Sequence, residues 1–187
     1  MSSVSSIPED RGDDYYDDLD SDCHDAGGTE VSVATEPRPA GKFFDEFELG
    51  QEWTSPARTI TEADLMMFAG ISGDFNPLHT DEEYAKKTTF GGRIFHGPGV
   101  FAIATGLESR LGIKEGTAIA FLGMTWNLKG AVRIGDTIHV HQKVAQLRPT
   151  KKPGRGIVTF DVAVVNQHGE VVHDGQWVVM FKCEGFQ

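Results

Sequence analysis

Asp74 and His79 flank a stiff Asn76-Pro77 turn in the stretch Phe68-Ala-Gly-Ile-Ser-Gly-Asp-Phe-Asn-Pro-Leu-His79. A carboxylate and an imidazole so placed can hold one water between an anionic acceptor and a nitrogen base, then hand its proton to a neighbouring carbon. That is the chemistry of adding water to an activated double bond. Gly73 lets the chain turn sharply before Asp74, while Pro77 fixes its own φ and biases Asn76 away from helix. The step from Asp74 to His79 is therefore expected to be a stiff, non-helical loop.

The elements that must carry this pair can be read on either side of it. Gln51 to Ile60 has the β-branched and aromatic content of a strand, with Pro56 demoting it to an edge or a bulge. Thr61 is a natural helix N-cap, Asp64 completes a capping-box pattern, and the helix it opens delivers the chain to Gly73. Asp81 can cap a second short helix through Lys87, broken by Gly91 and Gly92. A third helix is expected from Gly99 to Leu111, apolar on most faces and hence enclosed by other structure. Strands follow at 118–128, 137–147, 157–166 and 171–181, the last two joined by a hairpin turn at Gln167-His168-Gly169-Glu170. One apolar helix followed by consecutive antiparallel strands implies an α+β architecture with the sheet curled around the helix.

The pattern Phe68-x-x-Ile71-Ser72-Gly73-Asp74-x-Asn76-Pro77-Leu78-His79, with Ala85 beyond it, resembles the signature of the MaoC-type (R)-specific enoyl-CoA hydratases and dehydratases. The resemblance runs from about Phe43 to Lys182 and includes Phe95-His96-Gly97 ahead of the apolar helix. It implies a single hotdog fold, in which an antiparallel sheet wraps a long central helix. It also implies a dyad of Asp74 and His79, with the backbone NH of Gly97 binding the thioester oxygen. The activity implied is a hydro-lyase reaction, reversible syn hydration of trans-2-enoyl-CoA to (R)-3-hydroxyacyl-CoA. No metal or redox cofactor is called for; coenzyme A enters as part of the substrate. Hotdog thioesterases and non-catalytic acyl-binding subunits are the alternatives.

Further residues have both a plain reading and a functional one. Asn76 either tolerates the turn or positions the water. Thr105 stands where many relatives have Ser, and either packs in the core or offers its hydroxyl to the substrate. His96 reads as structural. Arg148, Lys151, Lys152 and Arg155 occupy what reads as a Pro/Gly loop, either a solvated turn or a grip on coenzyme A phosphates. His139 and His141 share a strand face, but no third ligand is placed by spacing, so no metal site is expected there.

Composition narrows the class. With 187 residues and 39% hydrophobic content the chain can build one ordinary domain with a real core. Its two cysteines make no disulfide framework and suit a reducing cytoplasm, and neither a signal peptide nor a membrane span is apparent. The net charge of -11 is uneven, since 11 of 28 acidic but only two of 17 basic residues lie in residues 1–41. A nearly neutral domain over 42–187 behind a disordered acidic leader is expected, a balance that argues against nucleic acid as a partner. The expected partners are an acyl-CoA thioester, acyl carrier protein as an alternative carrier, and a second copy in a homodimer.

Overall fold

Apolar residues at 138, 140 and 144 turn one face of a strand inward. In the computed structural model, which describes residues 38–185, four such strands form one antiparallel sheet with two short ones at its margin. The strands are β1 (Glu52–Thr54), β2 (Arg58–Thr59), β3 (Ala118–Leu128), β4 (Thr137–Pro149), β5 (Arg155–Val165) and β6 (Val171–Lys182). Their order is β1-β4-β5-β6-β3, with β2 also on β4. The single strand expected over 51–60 is two, parted at Ser55-Pro56. There Ser55 takes over the ladder, its NH donating to the Val140 carbonyl at 2.8 Å and its Oγ accepting the Val140 NH at 2.9 Å.

Among the described residues four α-helices accompany the sheet: α1 (Glu62–Ser72), α2 (Pro77–Thr80), α3 (Glu82–Ala85) and α4 (Gly97–Ser109). α1 opens on the expected capping box, with the Asp64 carboxylate accepting the Thr61 NH at 2.8 Å, and ends on Gly73 at φ 73°. That left-handed conformation is easy only for glycine. α4 begins at Gly97 rather than at Gly99, because Pro98 fits a first helical turn, where its missing NH costs no bond.

The core lies between α4 and the sheet, as the single hotdog unit requires. Val100, Ala104 and Leu107 of α4 pack into one buried cluster with Val140, Phe160, Trp177 and Phe181. The expectation that α4 is enclosed on most faces is only partly met: Ala102, Gly106 and Ser109 form an exposed side. A curled sheet covers one side of a helix, and small residues tolerate the other. Buried near the C-terminal end of α4, Glu108 pairs with Lys114 at 3.0 Å. Burial pushes the Glu108 carboxyl up and the Lys114 ammonium down, each partly offset by the other's charge.

Residues 1–37 of the expected acidic leader lie outside the described residues. From Arg38 on, the chain is held by the domain: Arg38 pairs with Glu46, and the Gly41 NH donates to the Glu115 carbonyl at 2.8 Å. A Cβ on Gly41 would fall 2.6 Å from that carbonyl oxygen. Among the described residues no helix is long and apolar enough to cross a membrane.

Candidate active site

The motif folds as a chain of short caps. The Ser72 hydroxyl accepts the Asp74 NH at 3.1 Å, Asp74 Oδ1 accepts the Asn76 NH at 3.1 Å, and Asn76 Oδ1 accepts the Leu78 NH at 2.9 Å. Asn76 is thereby the N-cap of α2 with Pro77 at its first position, so His79 rides on a helical turn. The expected non-helical loop is corrected here. Pro77 excludes helix before itself, yet it suits a helix that starts on it.

His79 Nδ1 lies 2.8 Å from the Ile94 carbonyl oxygen, which can only accept, so Nδ1 carries the hydrogen. Nε2 is the nitrogen on the Asp74 side, with Asp74 Oδ2 4.0 Å away. That gap is too long for a direct hydrogen bond and suits one bridging water. The Asp74 side chain is 51% exposed and that of His79 is 12% exposed, so one partner meets solvent and the other is held.

His96, read from sequence as structural, stands at the centre of the site. It is 1% exposed, its ring stacks on His79 with centroids 3.8 Å apart, and its Nε2 lies 2.9 Å from the Asp74 backbone carbonyl. Sequence held one clue, its place next to Gly97 at the head of α4. Asp74, His79 and His96 offer ligand atoms within 4.8 Å of one another, the spacing of a metal triad. The His96 nitrogen facing Asp74 donates to a carbonyl, however, and has no lone pair to give. Only Asp74 and His79 then remain as donors, too few for a closed metal site.

Gly97 follows as the first residue of α4, where backbone NH groups lack helical acceptors. A side chain there would collide with Leu128, whose Cδ1 would sit 2.8 Å from the added Cβ. Asp74, His79 and Gly97 are thus brought together through His96. Thr105 lies two turns further along α4, its hydroxyl donating to the Ala102 carbonyl at 2.7 Å. His139 and His141 lie on the outer face of β4, His141 beside Glu52 at 3.6 Å.

The basic residues lie elsewhere than one loop. Arg148 belongs to β4 and Arg155 to β5, with Lys151 and Lys152 in the turn between. The dyad sits at the other end of these strands, where Phe95 NH donates to the Val132 carbonyl and Leu128 nears Gly97. β4 has 13 residues. At about 3.3 Å per residue, roughly 40 Å of strand separates the two ends.

The MaoC-like domain model matches residues 46–166. An (R)-specific enoyl-CoA hydratase of Rhodospirillum rubrum is 37% identical over 144 residues, 76% of this chain and 94% of that protein. A 3-hydroxybutyryl-CoA dehydratase of Methylorubrum extorquens is 35% identical over 139 residues, covering 73% of this chain and 82% of that one. The crystal structure of the MaoC-like dehydratase from Rhodospirillum rubrum superposes with a TM-score of 0.69 at 32% identity, over 76% of this chain and 98% of that one. By motif, fold and these likenesses, the chain belongs to the MaoC-like domain family.

Proposed function

We propose that this protein is a hydro-lyase that reversibly adds water, syn, to trans-2-enoyl-CoA thioesters to give (R)-3-hydroxyacyl-CoA. The observation that carries the reading is the 4.0 Å gap between Asp74 Oδ2 and His79 Nε2, on a ring whose Nδ1–H is held by the Ile94 carbonyl. A water in that gap is oriented by both groups. As its oxygen bonds to the β-carbon, one O–H bond breaks and the proton passes to the dyad. The π electrons move onto the thioester oxygen, where the Gly97 NH stabilises the charge as it develops. The dyad then returns a proton to the α-carbon and the enolate collapses. Both additions come from one face, hence syn. The steps need no metal or redox cofactor. The named activities of the relatives support the same reaction and, through it, the (R) product.

The site is completed in a homodimer. β3 is an edge strand of 11 residues, paired among the described residues with β6, and it exposes Ile119, Phe121, Met124 and Leu128. A long apolar edge invites pairing with its own copy about a two-fold axis. Antiparallel pairing of two β3 edges brings the far end of the partner's sheet toward this dyad. The basic residues Arg148, Lys151, Lys152 and Arg155 would then grip coenzyme A phosphates in the neighbouring subunit's site rather than their own. Asn76 caps the turn that presents His79, and Thr105 borders the acyl chain further along α4. Acyl carrier protein is a second carrier that the same thioester chemistry admits. Two isolated cysteines in the sequence favour a cytoplasmic setting.

Crotonyl-CoA tests the reading. Hydration removes the enoyl absorbance without releasing thiol, and chiral analysis of the product should return the (R)-3-hydroxy isomer. Thiol release would make the protein a thioesterase, and neither change, across short and long enoyl thioesters, would leave only a binder.

A further inference from the structure

The bonds that hold Asp74 in place are mostly local. Ser72 and Asn76, two residues to either side, meet its NH and its carboxylate. Such short-range bonds shape a turn but cannot aim it at a distant element. Two tethers reach across the sequence, from His79 to Ile94 over 15 residues and from His96 to Asp74 over 22. Both end in the segment just ahead of α4.

His96 does three things at once. Its backbone carbonyl accepts the Val100 NH at 3.0 Å, starting the helix whose first residue is Gly97. Its Nε2–H donates to the Asp74 carbonyl at 2.9 Å. Its ring packs against Phe68, centroids 5.0 Å apart, and stacks on His79, 3.8 Å apart. At 1% exposure the ring is locked by packing. Its other nitrogen, Nδ1, is buried without a hydrogen-bond partner among the described residues, so the Asp74 carbonyl is the group its ring hydrogen-bonds there.

Resting on the hydratase reading, we propose that His96 is a positioning residue that registers the two halves of the site, the water-holding dyad and the oxyanion-binding NH of Gly97. The reaction requires the dyad to reach both reacting carbons while the thioester oxygen stays on the NH. A displacement of about 1 Å between such groups can cost on the order of a hundredfold in rate. The clamp on Asp74 sets that spacing, while the stack on His79 fills the space beside it. With its Nε2–H committed to the Asp74 carbonyl, His96 acts through the dyad, so its effect falls on turnover rather than on binding.

Two variants separate the clamp from the packing. His96→Phe keeps a stacked ring and removes the donor; His96→Gln places an amide NH where Nε2–H was and removes the ring. His96→Phe should lower kcat about tenfold to a hundredfold with KM within about twofold, and His96→Gln should recover at least about a third of wild-type kcat. Equal kcat for wild type and a folded His96→Phe overturns the proposal, as does a Phe variant more active than the Gln variant. Two-bond proton–nitrogen NMR of the wild type gives a readout independent of any variant's folding: His96 must carry its hydrogen on Nε2, and an Nδ1–H tautomer overturns the clamp. A wild type that hydrates no enoyl thioester would instead remove the hydratase reading, and the NMR tautomer would still decide the clamp by itself.

Discussion

Replacing Asp74 by Asn separates chemistry from stability at this site. The change removes one charge and keeps the shape. The Asn76 NH, 3.1 Å from Asp74 Oδ1, can be accepted equally by an amide oxygen, and the carbonyl held by His96 belongs to the backbone. With the side chain 51% exposed, little is desolvated, so folding stability should move by no more than about 0.5 kcal/mol. The rate should respond otherwise. Across the 4.0 Å gap an amide no longer takes the water's proton, and its NH2 can turn toward the water as a donor. Losing an acid–base group of this kind lowers kcat by about a hundredfold to ten-thousandfold, or roughly 3 to 5 kcal/mol of barrier. Steady-state hydration of crotonyl-CoA, with thermal melts on the same samples, reads both quantities. Since the pair acts as a unit, Asp74→Asn with His79→Ala should be little slower than either single variant. A folded Asp74→Asn protein retaining more than about a tenth of wild-type kcat would refute the water-holding role.

Other consequences reach beyond the dyad. Changing Arg148, Lys151, Lys152 and Arg155 together to Ser should raise KM for the CoA thioester at low salt, with kcat within about twofold and no effect on a thioester lacking the nucleotide; an unchanged KM would place the phosphates elsewhere. Glu108→Leu leaves the half-buried Lys114 without its 3.0 Å partner and should cost about 2 kcal/mol in urea unfolding, most of it recovered on adding Lys114→Met; an additive loss would refute the pairing. Burial pulls the His173 imidazole down to about 4, against a small opposing pull from Asp174. The unfolded chain then binds the extra proton between about pH 6.5 and 4, so this group's contribution is full above 6.5 and is lost as pH falls, by at most about 3 kcal/mol. Urea midpoints at pH 7 and pH 4.5 should therefore fall more steeply for wild type than for His173→Gln, and parallel losses would show that His173 is not the cause.

Features that depend on neighbours in the chain could be read from the residues themselves. Thr61 and Asp64 cap α1, Gly73 turns the chain at positive φ, Pro56 breaks the first strand, and period-two alternation marks β4, because each rests on local sterics or on a repeating side-chain direction. The motif likewise placed Asp74 and His79 close together, since five residues joined by a stiff turn cannot separate far. Local rules failed where two of them competed: Pro77 speaks against helix before it and for helix after it, and the Asn76 cap resolved α2 in favour of helix. Tertiary structure alone decided which groups meet across the chain. It turned His96 from a structural residue at a helix head into a ring that holds the Asp74 carbonyl and stacks on His79, set the basic residues at the opposite end of the sheet, and left one side of α4 uncovered. Periodicity tells which way a side chain points from its own strand or helix; what stands opposite depends on how the sheet curls, and that is settled by packing among residues tens of positions apart.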